Sequence, residues 1–282
     1  MAEAAIAQPE SGIAGRFARD GFYFPLDVLS VEEAMGYRAE LESLEAQIVG
    51  QRLGNKGQLN QAHAIFRFAN SLVRHPRILD AVEEIIGPDI LVWGSTFFTK
   101  EAGSPSYVSW HQDLRYWGLS GDNEVSAWLA LGPARQEHGC MRFVPGSHKL
   151  PLLEHRDTFD PANFLTRGQE AVIDIDEAGT VQVELEAGQA SLHHGRLLHA
   201  SGPNVADQRR VGFVVNYISP EMRQVVAKDD FAMLVRGEDR YGHFVAVPEP
   251  EADLTPEALA WHRRIVGGQN EAIYDGAGVT ET

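Results

Sequence analysis

The chain has 282 residues, 40 acidic against 24 basic side chains, a net charge of −16, 44% hydrophobic residues and one cysteine, Cys140. That length buries a substantial core as one large domain, and the acidity without a Lys/Arg cluster argues against nucleic acid or an anionic lipid surface as partner. No apolar run approaches the roughly 18–20 residues that span a bilayer, a single cysteine permits no internal disulfide, and no basic residue precedes Arg16, so a cytoplasmic protein is expected.

Residues 1–14 read as a disordered end, and 15–282 as a single domain without linker or repeat. Residues 21–25 predict a short strand closed by Pro25. Ser30 and Glu33 form an S-x-x-E capping box that opens a helix to about Ile48, with Ala34, Tyr37, Leu41, Leu44 and Ile48 on one stripe. A second helical region, 63–86, is broken near His75-Pro76 and ended by Gly87-Pro88. Short runs at 89–99, 124–131, 141–144, 181–185, 189–194 and 210–218 then predict an antiparallel sandwich or barrel. Thr255-Pro256-Glu257 starts a terminal helix over 255–275. Neither G-x-G-x-x-G after a strand nor a phosphate-binding G-x-x-x-x-G-K-[ST] occurs.

The chemistry lies in histidines paired with carboxylates. A non-haem iron site needs two imidazoles and one carboxylate on one face of the metal. H-x-D on an extended segment supplies two of them, because residues i and i+2 of a strand point the same way. Two such triplets occur, His111-Gln-Asp113 and His155-Arg-Asp157. The first follows an apolar, strand-like approach and is the metal candidate; the second lies between Pro151 and Pro161 and reads as a solvated loop. For the third ligand, His193, His194 and His199 are the candidates. His193 and His194 point to opposite faces of a strand, and each reads by default as a core or supporting histidine. His199 opens a small-residue loop. Arg115, two residues past Asp113, shares its side if the strand continues, and is a candidate contact for an anionic substrate. Strand 89–99 faces the pocket with alternate residues among Thr96, Phe97 and Phe98; Phe98 is taken as a substrate contact.

Three blocks carry a family resemblance: Trp110-His-Gln-Asp-Leu-Arg-Tyr-Trp117; Ala127-Trp-Leu-Ala-Leu131 with His138-Gly-Cys-Met and Phe143-Val-Pro-Gly-Ser-His-Lys149; and His194-Gly-Arg-Leu-Leu-His-Ala-Ser-Gly-Pro-Asn204 with Arg210 after it. In this order they resemble the phytanoyl-CoA dioxygenase-like family of Fe(II)- and 2-oxoglutarate-dependent oxygenases, from about residue 15 to 275. The resemblance implies a mainly β fold with flanking helices around a double-stranded β-helix, the jelly-roll or cupin-like core. It implies His111, Asp113 and His199 as iron ligands. Arg210 is the implied anchor of the far carboxylate of 2-oxoglutarate, with Ser201 assisting and Trp128 lining the pocket. Gln61 and His63 precede the second helical region, where family members often supply a polar residue to the cosubstrate site, and His63 is the candidate there. Arg209 and the Pro145–Lys149 stretch read as solvated and as a structural turn.

The implied reaction consumes 2-oxoglutarate and O2, releases succinate and CO2, and hydroxylates an unactivated C–H bond of a small molecule, an anionic one if Arg115 contacts it. An aspartate at 113, rather than a small residue that leaves room for chloride, favours hydroxylation over halogenation. Two alternatives stand beside it: a cupin-like metal enzyme without 2-oxoglutarate, which has no use for Arg210, and a non-catalytic binding protein on the same barrel.

Overall fold

The computed structural model describes residues 12–48, 53 and 58–275; the expectation of disorder at the N-terminus otherwise lies outside these residues, but Ile13 and Ala14 already belong to a helix. The elements in chain order are α1 Ile13–Asp20, β1 Phe22–Asp27, α2 Val31–Gln47, β2 Gln58–Asn60, α3 Arg67–Val73, α4 Pro76–Ile86, β3 Ile90–Lys100, β4 Val108–His111 and α5 Leu114–Trp117. They continue as β5 Glu124–Ala130, β6 Met141–Phe143, β7 His155–Asp157, β8 Gln169–Ala171, β9 Val181–Val183, β10 Gln189–His193, β11 His199–Ser201, β12 Arg210–Ile218, β13 Phe231–Arg236, β14 Val245–Ala246 and α6 Pro256–Ile273.

The start signals read from sequence act as expected. Ser30 Oγ accepts from the Glu33 N–H at 3.2 Å, and the Glu33 carboxylate accepts from the Ser30 N–H at 2.8 Å. Thr255 Oγ1 accepts from the Ala258 N–H at 3.1 Å ahead of α6. His75-Pro76 separates α3 from α4, since proline fixes the first turn of the second helix. Pro25, however, does not close β1. That strand is the edge of its sheet and carries a bulge between Tyr23 and Leu26, where a residue without an N–H costs no ladder bond.

Two sheets form a jelly-roll core. The larger runs β1-β10-β5-β12-β3-β13-β14, with β2 also on β3; the smaller runs β4-β11-β6-β9. Pairing is antiparallel except for β13 with β14. β12 shows how the layers divide. Val211, Phe213, Val215 and Tyr217 face the helices, where Phe213 stacks on Phe97 at 4.3 Å and Phe97 on Phe68 at 5.6 Å. Arg210, Val214 and Asn216 face the cavity between the sheets. The alternation of a strand thus separates a helix-covered core from a polar interior. On β3 the same rule fixes the register: Gly94, Thr96 and Phe98 line the cavity and Phe97 does not. Among the described residues no helix is long and apolar enough to cross a membrane.

Candidate metal centre

His111 ends β4 and His199 opens β11; the two are directly paired across the small sheet, with ring centroids 4.0 Å apart. His199 therefore sits in a strand, not in a loop. Asp113 is not extended either: its backbone is helical (φ −59°, ψ −48°) and it precedes α5. The expectation that i and i+2 share a strand face fails here. The chain turns after His111, and the turn, not the pleat, brings the carboxylate back to the imidazole.

His111 Nδ1 donates to the Ser109 carbonyl at 2.8 Å and His199 Nδ1 to the Leu197 carbonyl at 2.9 Å. A carbonyl only accepts, so both rings carry their proton on Nδ1 and present bare Nε2 atoms inward. Asp113 Oδ1 lies 3.1 Å from His111 Nε2 and 3.8 Å from His199 Nε2. These are separations of the order that adjacent ligands of one ion require, roughly 3 Å for bonds near 2.1 Å. One donor atom of each residue lies within 4.8 Å of the others. Burial, with the His111 imidazole close by, holds the His199 imidazole down to about 3, so it is neutral and able to ligate. Burial would raise Asp113, but the His199 and His111 imidazoles beside it outweigh burial and hold the carboxyl below its usual range.

The turn is held by Gln112, fully buried between His111 and Asp113. Its Nε2 donates to the Arg196 carbonyl at 2.9 Å and to the Pro151 carbonyl at 3.3 Å; its Oε1 accepts from the Leu153 N–H at 2.8 Å. Its backbone N–H donates to His155 Nε2 at 3.1 Å. So the second H-x-D is not a solvated loop but strand β7, paired with β8. From the other side, buried Glu124 accepts from the Gly195 N–H at 2.6 Å, and the Gly195 carbonyl accepts from the Leu114 N–H at 3.0 Å. Burial raises the Glu124 carboxyl well above its ordinary value. A side chain on Gly195 would meet Leu114 at 2.8 Å, which accounts for glycine there.

The same cavity reaches Arg210, Ser201, Trp128 and Phe98. Arg210 is 2% exposed; its guanidinium carbon lies 5.4 Å over the Trp128 ring and one amino group donates to the Gly139 carbonyl. Its Nε has no partner, and among the described residues no carboxylate pairs with it. Burial lowers Arg210 only to about 10, so it is charged at neutral pH. A buried guanidinium without an anion is costly unless a ligand supplies one. The donor set and this cation therefore fit a metal and a carboxylate-bearing cosubstrate in one cavity.

Other expected site residues fall elsewhere. His63 is buried with Nδ1 2.8 Å from Ser95 Oγ and does not line the cavity; Gln61 does, in a left-handed conformation (φ 53°). Arg115 is exposed on α5 and lines a separate polar cavity with His155, Asp157 and Arg167, because the helix turns it away from Asp113. Arg209 is not simply solvated: it pairs with Glu42, Glu45 and Glu101. His193 lines the cavity, with Nε2 3.9 Å from Asp113 Oδ2, whereas His194 turns away from it and packs against buried Glu124 and Phe17. In the Pro145–Lys149 stretch, Ser147 accepts from the Leu198 N–H at 2.9 Å, which secures the approach to β11 and makes the stretch a structural turn. Sequence reasoning missed Lys100, buried and directly opposite Arg210 in the β3–β12 register; the alternation through Gly94, Thr96 and Phe98 was the signal.

Comparison with known proteins agrees with this geometry. The sequence model of the phytanoyl-CoA dioxygenase (PhyH) family matches residues 17–212. The chain is similar to ThoJ, a non-heme monooxygenase of known structure: 37% identity, 94% of this chain and 98% of that one, TM-score 0.84. It is 25% identical over 248 residues to the ectoine dioxygenase of Streptomyces anulatus, covering 80% of this chain and 82% of the relative. It is 29% identical over 168 residues to a Stutzerimonas stutzeri protein named as a probable alpha-ketoglutarate-dependent hypophosphite dioxygenase, a match spanning 58% of this chain and 57% of that relative's length. The chain belongs to the phytanoyl-CoA dioxygenase family of non-haem iron, 2-oxoglutarate-dependent oxygenases.

Proposed function

We propose that the chain hydroxylates an unactivated C–H bond of a small molecule, with His111, Asp113 and His199 holding Fe(II) and Arg210, Ser201 and Trp128 holding 2-oxoglutarate. The observation that carries this reading is the pairing, in one cavity, of a three-donor cluster with a buried guanidinium that has no anionic partner. The overall change balances as 2-oxoglutarate + O2 + R–H giving succinate + CO2 + R–OH. Bound Fe(II) supplies the activation of O2 and the redox chemistry of that change.

The protein's own share is positioning. The Ser109 and Leu197 carbonyls fix the tautomer of both imidazoles, and Gln112 fixes the turn that aims Asp113. Arg210 offers a planar, permanently charged donor pair to a carboxylate. Trp128 sets its ring against that guanidinium and closes the wall behind it. Small-molecule substrates are in keeping with the relatives named for ectoine and proline. The reading places the enzyme in the cytoplasm, where ferrous iron and 2-oxoglutarate are at hand.

The test uses no primary substrate. Protein given Fe(II), ascorbate, O2 and carbon-labelled 2-oxoglutarate is expected to form succinate slowly, above an iron-free control, and to lose this in His199→Ala. Succinate formation equal to the iron-free control contradicts the reading.

A further inference from the structure

Lys100 is fully buried at the end of β3, on the face that carries Thr96 and Phe98 toward the cavity. Its Nζ donates to Ser201 Oγ at 2.8 Å and to the Gly202 carbonyl at 2.5 Å. Its direct cross-strand partner is Arg210. Two basic side chains thus share one buried wall, and among the described residues neither has a carboxylate partner. Repulsion and desolvation make charging both at once unfavourable until an anion arrives.

The contact to Ser201 has a second consequence. An ammonium has no lone pair and can only donate along that bond, so when Lys100 is charged Ser201 Oγ spends a lone pair on it. The serine hydroxyl proton is then free to be donated elsewhere, and Ser201 lines the same cavity as Arg210.

We propose that Lys100 is a positioning residue for the cosubstrate: it turns the Ser201 hydroxyl proton toward the 2-oxoglutarate carboxylate held by Arg210, and adds the second positive charge that the carboxylate neutralises. This rests on the 2-oxoglutarate reading above and names a residue that reading does not need.

The charge on Lys100 is coupled to binding. Burial first, and then the charge of Arg210, pull its ammonium down to about 6. The other titratable neighbour is the Cys140 thiol, itself pushed up to about 11 by burial and therefore neutral. Glu101, next in the chain, is turned to Arg209 instead. The remaining close face is the Phe164 ring, 5.7 Å from Nζ. Lys100 is therefore mostly neutral at pH 7.5 before binding, and a carboxylate beside it favours the charged form. Binding takes up a proton, and affinity falls as pH rises above about 6.

The experiment is calorimetric titration of the Ni(II)-loaded protein with 2-oxoglutarate at pH 7.5, in two buffers of different ionisation enthalpy. The wild type is expected to take up a substantial fraction of one proton. Lys100→Met is expected to take up none and to bind 2-oxoglutarate about 10–100-fold more weakly, with nickel affinity unchanged. Ser201→Ala keeps the lysine and is expected to bind more weakly while still taking up the proton; it also serves if Lys100→Met does not fold. Equal affinity and equal proton uptake in wild type and Lys100→Met overturn the role of Lys100, as does a wild type that binds without proton uptake. Absence of any 2-oxoglutarate binding to the wild type overturns instead the cosubstrate reading on which this rests.

Discussion

The Nε2 of His155 accepts the backbone N–H of Gln112 at 3.1 Å, so the imidazole of one H-x-D triplet supports the turn of the other. His155 is itself oriented by its Nδ1, which donates to the Leu153 carbonyl at 3.1 Å. Replacing it by leucine leaves the Gln112 N–H buried without a partner and frees the turn that carries Asp113. His155→Leu is expected to weaken metal binding about 10–100-fold, the usual effect of removing a group that orients a ligand. Titration with Ni(II) followed by calorimetry checks this; unchanged affinity contradicts it.

Gly212 faces Trp128 on the neighbouring strand, and a Cβ there would fall 1.9 Å from the indole. Backbone cannot yield as a flexible side chain does, so the indole must leave the wall beside Arg210. Gly212→Ala is expected to cost about 1–3 kcal/mol of folding stability and to weaken 2-oxoglutarate binding together with it. Urea unfolding and ligand titration on the same sample read both effects; a variant with wild-type values for each contradicts the packing described.

Arg115 points into a different cavity from His111, Asp113 and His199. Arg115→Ala is therefore expected to leave both metal and 2-oxoglutarate affinity within about twofold, because an exposed side chain with no buried partner contributes little. A loss of tenfold or more in either titration would show that α5 lies differently.

The metal-free protein is expected to be sensitive to acid. Burial depresses His63 to about 3, and His155 and His194 to about 4, against an ordinary value of 6.5. Between those values the unfolded chain binds more protons than the folded one, so stability rises with pH and is lost as pH falls from about 6.5 toward 4. Each such group weakens folding by at most about 1.4 kcal/mol per pH unit inside its window. Melting temperature measured from pH 7.5 to 4.5 is expected to fall most steeply below pH 6; a flat profile contradicts the burial of neutral imidazoles.

The sequence carried the fold because each level agreed. The capping box, the Pro76 break and the strand run at 210–218 each matched the element that formed. It carried His111, Asp113, His199 and Arg210 into one cavity, though for a partly mistaken geometric reason: the strand ends at His111, and a buried glutamine redirects the chain. Arg115 was misplaced by the same assumption. Three-residue strands such as β7, β8 and β11 are too short for periodicity to register, which hid the role of His155. Lys100 was overlooked because a lysine at a strand end reads as solvent-facing unless its cross-strand partner is known. Helix α1 has eight residues and no side-chain cap, so nothing in the sequence announced it.

The most direct test of the account is an anaerobic titration of metal-free protein with Fe(II) and then 2-oxoglutarate, watching for the visible metal-to-ligand charge-transfer band of the chelate. The band is expected in the wild type. It is expected to vanish in His199→Ala, where iron is no longer held, and to require about 100-fold more 2-oxoglutarate in Arg210→Met, where iron still binds. Iron binding without a band in the wild type, or a band of wild-type affinity in Arg210→Met, would contradict the assignment of this cavity to iron and 2-oxoglutarate.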